Sequence, residues 1–123
     1  MVYLFVALGG ALGASTRYWL YNAHPVLQHQ AGLATFTVNA LGSFLMGFIF
    51  VFLTERSGLS PYWRGLVGVG FLGAFTTYST YSLDALQMLE RGEFTLALVY
   101  LLGTVVVCVS AVWLGLTLGR LVV

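Results

Sequence analysis

Long apolar runs fill almost the whole chain, and they constrain its fold more than any other feature. They lie at about residues 2–22, 33–54, 62–90 and 94–121, and the 123 residues include only five basic and four acidic side chains. A domain exposed to water typically carries about 25% charged residues, whereas a membrane-spanning helix takes about 20 mostly apolar ones. The sequence therefore predicts an all-α membrane protein, a single domain over residues 1–123 with four transmembrane helices in the lipid bilayer.

Several classes of function are disfavoured by what the chain contains. A net charge of +1 with no basic patch argues against a nucleic-acid partner. The sequence pairs no nucleophile with a base, and His24 and His29, in a predicted loop, lack metal-ligand spacing, so we do not expect an enzyme. The first run has no positive region before it and continues past Arg17, which predicts a permanent span rather than a cleaved signal peptide.

The arginines near the ends of the runs are divided almost equally between the two sides of the membrane, so they hardly bias the orientation of the chain. Membrane proteins orient by the difference in Lys and Arg between the loops on the two sides. We therefore expect the chain to insert both ways, so that two opposed copies form an antiparallel dimer; many transporters obtain the same inverted symmetry from two repeats in one chain. One side of the membrane would receive Arg56, Arg64 and Arg120, and the other Arg91 and Arg17.

Glycines at four-residue spacing indicate close contacts between helices. Gly9 and Gly13 form one such pair, and Gly115 and Gly119 form another. In lipid, helices associate through close packing, and small residues mark their interfaces. Packing within the chain and packing between chains both fit this spacing, and the total of 15 glycines predicts a tightly packed, oligomeric bundle.

Seven consecutive hydroxyl side chains, at residues 76–82, interrupt the third run after a glycine-rich segment. Such hydroxyls can bond the carbonyl one turn back and bend a helix. Irregular backbone at membrane depth persists only where it is buried in protein or lines a cavity, and its freed groups can face ions. The pattern therefore predicts a third helix broken mid-membrane. The alternative is a polar helix interface held by hydroxyl hydrogen bonds.

Polar side chains in the second and fourth runs could extend such a site. Asn39 is the most polar group of its run, and its amide needs partners, since the NH2 group alone offers two donors. Tyr100, Thr104 and Cys108 are spaced by four and share one helix face. Such a stripe is typical either of a track for a small ion or of hydrogen bonds between helices.

Two ionisable residues lie within or near the end of a run. Arg17 could extend to the lipid headgroups, or it could concentrate anions at a water-filled entrance. Asp84 is the only acid well inside a predicted span, which makes it a functional candidate, although a polar helix end also accounts for it.

Four segments of the chain form a recognisable pattern: GGxxGAxxRY at residues 9–18, TxNxxGSFxxG at 37–47, GFLGxxTTYSTYS at 70–82 and ERG at 90–92. Together they resemble one family, the Fluc (CrcB-type) fluoride channels. The similarity covers essentially the whole chain, in order and at matching length, and the motif in the third run is its most specific part.

The resemblance implies a fluoride channel that exports fluoride passively from the cytoplasm across the inner cell membrane. It implies an antiparallel dual-topology homodimer with two pores and a structural sodium ion (Na+) at the dimer centre, held by the main-chain carbonyls of Gly73 and Thr76. It places Arg17 near the vestibule. The fluoride pathway that it implies consists of Asn39, Tyr78, Ser79, Thr80, Tyr81, Tyr100 and Thr104.

The chain departs from the family pattern at three positions. Tyr78 and Tyr81 stand where the family usually has phenylalanine, and Cys108 stands where a serine often extends the polar track. An aromatic edge carries partial positive charge and can meet an anion, but a tyrosine adds a hydroxyl that needs a partner. A thiol is a weaker hydrogen-bond donor than a hydroxyl.

Two other functions compete with a fluoride channel. A small four-helix multidrug transporter can also be a dual-topology dimer, but that class depends on an acidic residue in its first span, and residues 2–22 contain none. In a subunit that only assembles with other proteins, the hydroxyl cluster at residues 76–82 would serve packing alone.

Overall fold

The computed structural model describes residues 1–56 and 58–123, apart from the side chain of Ala31, and this part of the chain is largely helical. Two segments adopt π-helical rather than α-helical hydrogen bonding, and we call them the first and second π-helical segments. The elements in chain order are α1 (Val2–Asn22), α2 (Pro25–His29), α3 (Ala31–Phe50), the first π-helical segment (Val51–Glu55), α4 (Pro61–Trp63), the second π-helical segment (Arg64–Leu72), α5 (Gly73–Phe75), α6 (Tyr78–Glu90) and α7 (Phe94–Val122).

Within the residues that the structure describes, two helices could cross a membrane by length and composition: the 24 residues of Gly32–Glu55 and the 29 residues of Phe94–Val122. Most large apolar side chains of α7, including Val106, Val109 and Trp113, are exposed rather than packed inside the bundle. An apolar surface of this extent suits lipid or another protein chain better than water.

Glycines let α1 lie against the second π-helical segment at backbone distance. A Cβ atom at Gly9 would collide with the carbonyl oxygen of Leu66, and one at Gly13 with the carbonyl oxygen of Phe71. Because no side chain intervenes, the two backbones gain van der Waals contact along their length. This glycine pair therefore serves packing within the chain.

The second glycine pair joins α7 to α3 in the same way. A Cβ atom at Gly115 would collide with the carbonyl oxygen of Phe44, and one at Gly47 on α3 with the carbonyl oxygen of Val112. At Gly119 the added atom would lie 2.9 Å from the Phe48 carbonyl oxygen. Both predicted glycine pairs thus lie at interfaces inside the chain.

The third apolar run contains an interruption after α5. Thr76 (φ −82°, ψ 157°) and Thr77 (φ −150°, ψ 122°) are extended, and α6 begins at Tyr78. Thr76 closes the preceding turn, since its N–H and its hydroxyl both donate to the Leu72 carbonyl, at 3.1 and 2.9 Å. The helix is therefore broken within the hydroxyl cluster, as the sequence predicts, but only at two of its seven residues.

Other local features differ from the sequence-based expectation or were not part of it. The first connection contains the short helix α2, which His24 caps by accepting a hydrogen bond from the Val26 N–H at 3.2 Å, where the sequence predicts only a loop. The guanidinium of Arg64 donates to the Leu53 carbonyl at 2.7 Å and so joins the two π-helical segments.

Candidate functional site

The side chain of Asn39 spans the break in the third run. Its Oδ1 accepts the Thr77 N–H at 2.8 Å, and its Nδ2 donates to the Thr77 carbonyl at 2.9 Å. In a continuous helix that N–H would bond the carbonyl of Gly73. The carboxamide therefore replaces a peptide group and ties α3 to the break, while the second N–H of Nδ2 stays available for another partner.

Thr77 also starts the next helix. Its Oγ1 accepts the Thr80 N–H at 3.2 Å and lies 3.1 Å from the Thr80 hydroxyl, so Thr77 is the N-cap of α6. The Thr80 N–H would otherwise bond the Thr76 carbonyl. The two hydrogen bonds taken over by side chains thus release the carbonyls of Gly73 and Thr76 from helical pairing.

A first cavity, of about 830 Å³, is lined by the buried acid and by polar residues of α7. Asp84, which is only 6% exposed, lines it together with Tyr100 and Thr104. The Asp84 carboxylate accepts hydrogen bonds from the Thr35 hydroxyl at 2.6 Å and from the Tyr100 hydroxyl at 3.1 Å. Because the Thr35 proton points to Asp84, the Tyr21 hydroxyl, 2.6 Å away, donates to Thr35. This network connects α1, α3, α6 and α7.

A second cavity, of about 530 Å³, holds the predicted vestibule arginine. Half-buried Arg17 lines it with Tyr21, Gln28 and Thr80. Because Tyr21 also belongs to the Asp84 network, the second cavity and that network share a side chain. Arg17, predicted near the vestibule, and Thr80, predicted in the fluoride pathway, therefore line the same cavity.

A third cavity, of about 380 Å³, lies beside the break. Its lining includes four predicted pathway residues, Asn39, Tyr78, Tyr81 and Thr104, and also Cys108. Thr104 borders both the first and the third cavity. Thr104 and Cys108, from the polar stripe of α7, therefore lie close to the hydrogen-bonded pair Asn39 and Thr77.

Tyrosine rings run from the third cavity towards the first. The Tyr81 ring lies 5.6 Å from that of Tyr78 and 5.2 Å from that of Tyr100 between centroids. The Tyr81 hydroxyl donates to the Leu101 carbonyl at 2.6 Å, so the extra hydroxyl of this tyrosine has a partner. Tyr78 is different, since 80% of its side chain is exposed.

The predicted site residues do not all meet at one point. Ser79 is exposed, with its hydroxyl 3.4 Å from the Thr77 hydroxyl, and it lines none of the three cavities. Gly73 is exposed at the break. Thr35 and Tyr21 were not predicted as site residues, because Tyr21 bonds Thr35 across 14 positions and Thr35 bonds Asp84 across 49. The one signal for this network was an acid inside an apolar run.

Long apolar helices with exposed apolar surfaces surround buried hydroxyl, amide and carboxylate groups and the cavities that they line. This arrangement is typical of a helical membrane protein, in which polar groups face the bundle interior or a water-filled space. The chain belongs to the CrcB family: the model described as CrcB-like protein, Camphor Resistance (CrcB), matches residues 4–116. The family predicted from the sequence motifs is thereby confirmed, and the chain is a membrane protein.

Curated relatives align with nearly the full length of this chain. A protein of Magnetococcus marinus is 47% identical over 119 residues, which cover 96% of this chain and 97% of the relative. A protein of Saccharophagus degradans is 45% identical over 118 residues, 96% of this chain and 89% of the relative. A protein of Acidobacterium capsulatum is 39% identical over 127 aligned positions, 100% and 99% of the two chains. Each of these relatives is named fluoride-specific ion channel FluC.

Proposed function

We propose that this chain forms a fluoride channel through which fluoride leaves the cytoplasm by passive electrodiffusion. The observation that carries the proposal is the helix break at Thr77, which Asn39 holds with two hydrogen bonds. The break lies beside a cavity lined by Asn39, Tyr81 and Thr104. Relatives that align with nearly the whole chain and are named fluoride-specific ion channel FluC support it. The rival multidrug transporter has no such support, since the acid buried in this chain is Asp84 on α6 and not a residue of α1.

Fluoride is small and strongly hydrated, so a selective path has to replace its water with hydrogen-bond donors. The groups available are the spare Nδ2 proton of Asn39, the hydroxyl of Thr104 and the ring edges of Tyr78 and Tyr81, which carry partial positive charge. Thr104 links the third cavity to the first, where Tyr100 continues the row. The membrane potential drives export, because one charge crossing about 100 mV releases about 2.3 kcal/mol.

The functional unit in this proposal is an antiparallel dual-topology homodimer with two pores. Gly73 and Tyr78 are exposed on either side of the break, on a surface that a second copy could cover. The Arg side chains divide almost evenly between the two ends, which favours insertion in both orientations. Each copy would cross the inner membrane four times, with α1, α3, the segment from α4 to α6, and α7.

A sodium ion at the dimer centre would fit the freed carbonyls. Those of Gly73 and Thr76 lose their helical donors to Asn39 and Thr77, and unwound carbonyls at membrane depth are suited to Na+. A Cβ atom at Gly73 would find only the Gly68 carbonyl oxygen within 4 Å, at 3.8 Å, so this side of the break is open. When bound, the cation would balance the negative ends of these carbonyls and hold the two copies together.

Purified protein in liposomes loaded with fluoride tests the proposal. We expect rapid fluoride efflux, measured with a fluoride electrode, and much slower loss of chloride from matched liposomes. Empty liposomes and liposomes with a denatured sample serve as controls. An intact protein that passes no fluoride under a valid gradient, or passes chloride equally fast, contradicts the proposed function.

A further inference from the structure

The buried carboxylate of Asp84 has no counter-ion among the residues that the structure describes. Its side chain is 6% exposed, and no basic group of those residues lies within ion-pair distance of it. Both of its hydrogen bonds, from Thr35 and Tyr100, go to one oxygen, Oδ2. In the same part of the chain the other oxygen, Oδ1, has no hydrogen-bond partner. A carboxylate is seldom buried without a paired cation, because its removal from water is costly.

The first cavity, which Asp84 lines, does not balance this charge. Arg91 and Glu93 also line it, and they neutralise each other, since the Arg91 Nε donates to the Glu93 carboxylate. His29 is part of the lining as well, but it lies outside ion-pair distance of Asp84. The cavity therefore contains an uncompensated negative charge, which favours a cation from outside the chain.

The size and the walls of the cavity favour an organic cation over a metal ion. Its volume of about 830 Å³ is that of a pocket for a small organic molecule. Much of the wall is apolar, with Leu33 and Phe36 from α3 and Val107 from α7. A hard metal ion takes about six oxygen ligands, and the described residues include no group of three acidic, His or Cys side chains that could hold one.

We propose that the first cavity binds small amphipathic ammonium ions, with the charged nitrogen at Asp84 Oδ1 and the apolar body against the walls from α3 and α7. The break residues Gly73 and Tyr78, over which the second copy is proposed to lie, are not part of the lining. A bound ammonium ion also blocks fluoride, because Tyr100 and Thr104 of the predicted pathway line the same space. This block rests on the proposed function, whereas the binding itself does not.

The probe is 2-phenylethylamine, which is protonated at neutral pH as a lysine side chain is. The matched neutral compound is 2-phenylethanol, which has nearly the same shape. Calorimetric titration of the purified channel in detergent, with the heat of detergent alone subtracted, measures both affinities. We expect the amine to bind at least about tenfold more tightly than the alcohol, and Asp84→Asn to weaken amine binding at least about tenfold, because the neutral amide removes the charge.

A second pair of variants tests the cavity while Asp84 is kept. Gly103 lines the first cavity, and a Cβ atom there would find nothing within 4 Å, so Gly103→Leu places a side chain in the open space. Gly10→Leu is the matched control, since Gly10 also has nothing within 4 Å and lines none of the three cavities. Gly103→Leu should weaken amine binding at least about tenfold and Gly10→Leu should not change it, because only the first fills the site.

Fluoride efflux from liposomes tests the block, with the amine at equal concentration on both sides and each protein measured against its own rate without amine. At ten times the dissociation constant, efflux through the native channel should fall about tenfold, because about nine-tenths of the sites are occupied. The same amine concentration should leave the rate of Asp84→Asn nearly unchanged. Chromatographic elution and thermal unfolding establish that each variant is folded, and the two glycine variants decide the matter if Asp84→Asn is not.

Each contrary result has a separate meaning. Absence of amine binding, equal affinity for amine and alcohol, undiminished binding by folded Asp84→Asn, or equal binding by the two glycine variants overturns the site. Binding that passes these tests but leaves native efflux unchanged overturns the block. A protein that passes no fluoride even without amine contradicts the proposed function, while the calorimetric result still decides whether the ammonium site exists.

Discussion

The Asn39 side chain replaces the helical hydrogen bonds that the backbone of Thr77 would otherwise form. Its amide takes both hydrogen bonds of the Thr77 peptide groups, so the break is stabilised from a neighbouring helix rather than by water. The sequence shows that an amide inside an apolar run needs partners, but not which ones, because Thr77 is 38 positions away. The same holds for Asp84, whose bond to Thr35 spans 49 positions. Polar residues can thus be recognised in the sequence, whereas their pairing depends on how the helices pack.

The change Asn39→Asp should abolish fluoride flux. The carboxylate can still accept the Thr77 N–H, but it cannot donate to the Thr77 carbonyl, and it brings a negative charge to the third cavity. We also expect a loss of about 1–3 kcal/mol in the free energy of unfolding, because a buried carbonyl loses its partner. Liposome efflux and thermal unfolding measure the two effects. Normal conduction by the variant would remove Asn39 from the path.

The change Tyr81→Phe should reduce stability by about 1 kcal/mol and leave fluoride flux within a few-fold of the native rate. The hydroxyl bonds the Leu101 carbonyl, so its loss weakens the contact of α6 with α7 but keeps the ring in the third cavity. Tyr81→Ile, which removes the ring, should slow or stop passage. Tyr3→Phe, at a 91% exposed position, is the matched control and should change neither property. Loss of flux in Tyr81→Phe would mean that the hydroxyl itself serves the ion.

At the scale of the elements, most of the helical pattern follows from the sequence. Apolar runs become helices, and the hydroxyl cluster contains the break, because Ser and Thr side chains offer the backbone alternative partners. The sequence did not predict the two π-helical segments or the short helix α2. The π-helical hydrogen bonding depends on how neighbouring helices pack, which a local pattern does not encode. The helix α2 instead follows from local contacts, the His24 cap and Pro25 in its first turn. The assignment of each helix to a membrane crossing stays a prediction.

The contact of α1 with the second π-helical segment can be tested by adding one methyl group. Gly13→Ala should lower the free energy of unfolding by about 1–3 kcal/mol, since the new Cβ atom would collide with a backbone oxygen, that of Phe71, and not with a flexible side chain. Gly10→Ala on the same helix finds nothing within 4 Å and should stabilise the chain by about 0.5–1 kcal/mol. Chemical unfolding in detergent compares the pair. Equal effects at the two positions would contradict the close backbone packing.

At the scale of the whole molecule, a single copy leaves much of its apolar surface exposed. Large side chains such as Tyr3, Tyr18 and Trp113 are more than half exposed, and they are found on both α1 and α7. Lipid can cover part of this surface, but it cannot pair the polar backbone at the break, which is costly to leave without partners in a bilayer. A second copy over the break is therefore the arrangement that we propose.

If the dimer is antiparallel, the two orientations should be equally populated in the membrane. A protease-sensitive tag on one terminus should be cleaved in about half of the molecules from either side of sealed vesicles, because the positive charges are nearly balanced. Selective labelling of the two sides followed by mass measurement gives the ratio. A control protein with a known single orientation fixes the background. Complete protection from one side would exclude the dual topology.

The extended pair Thr76 and Thr77 also determines how α6 is rotated about its axis relative to the helix before the break. Two extended residues advance the chain by about 3.6 Å more than two helical residues do, and they break the rotation of 100° per residue that relates successive side chains in a helix. Helical-wheel diagrams drawn across residues 70–82 would therefore assign wrong faces. Deleting one residue here would turn Tyr81 and Asp84 away from α7 together, so this stretch should tolerate exchanges of side chain far better than changes of length.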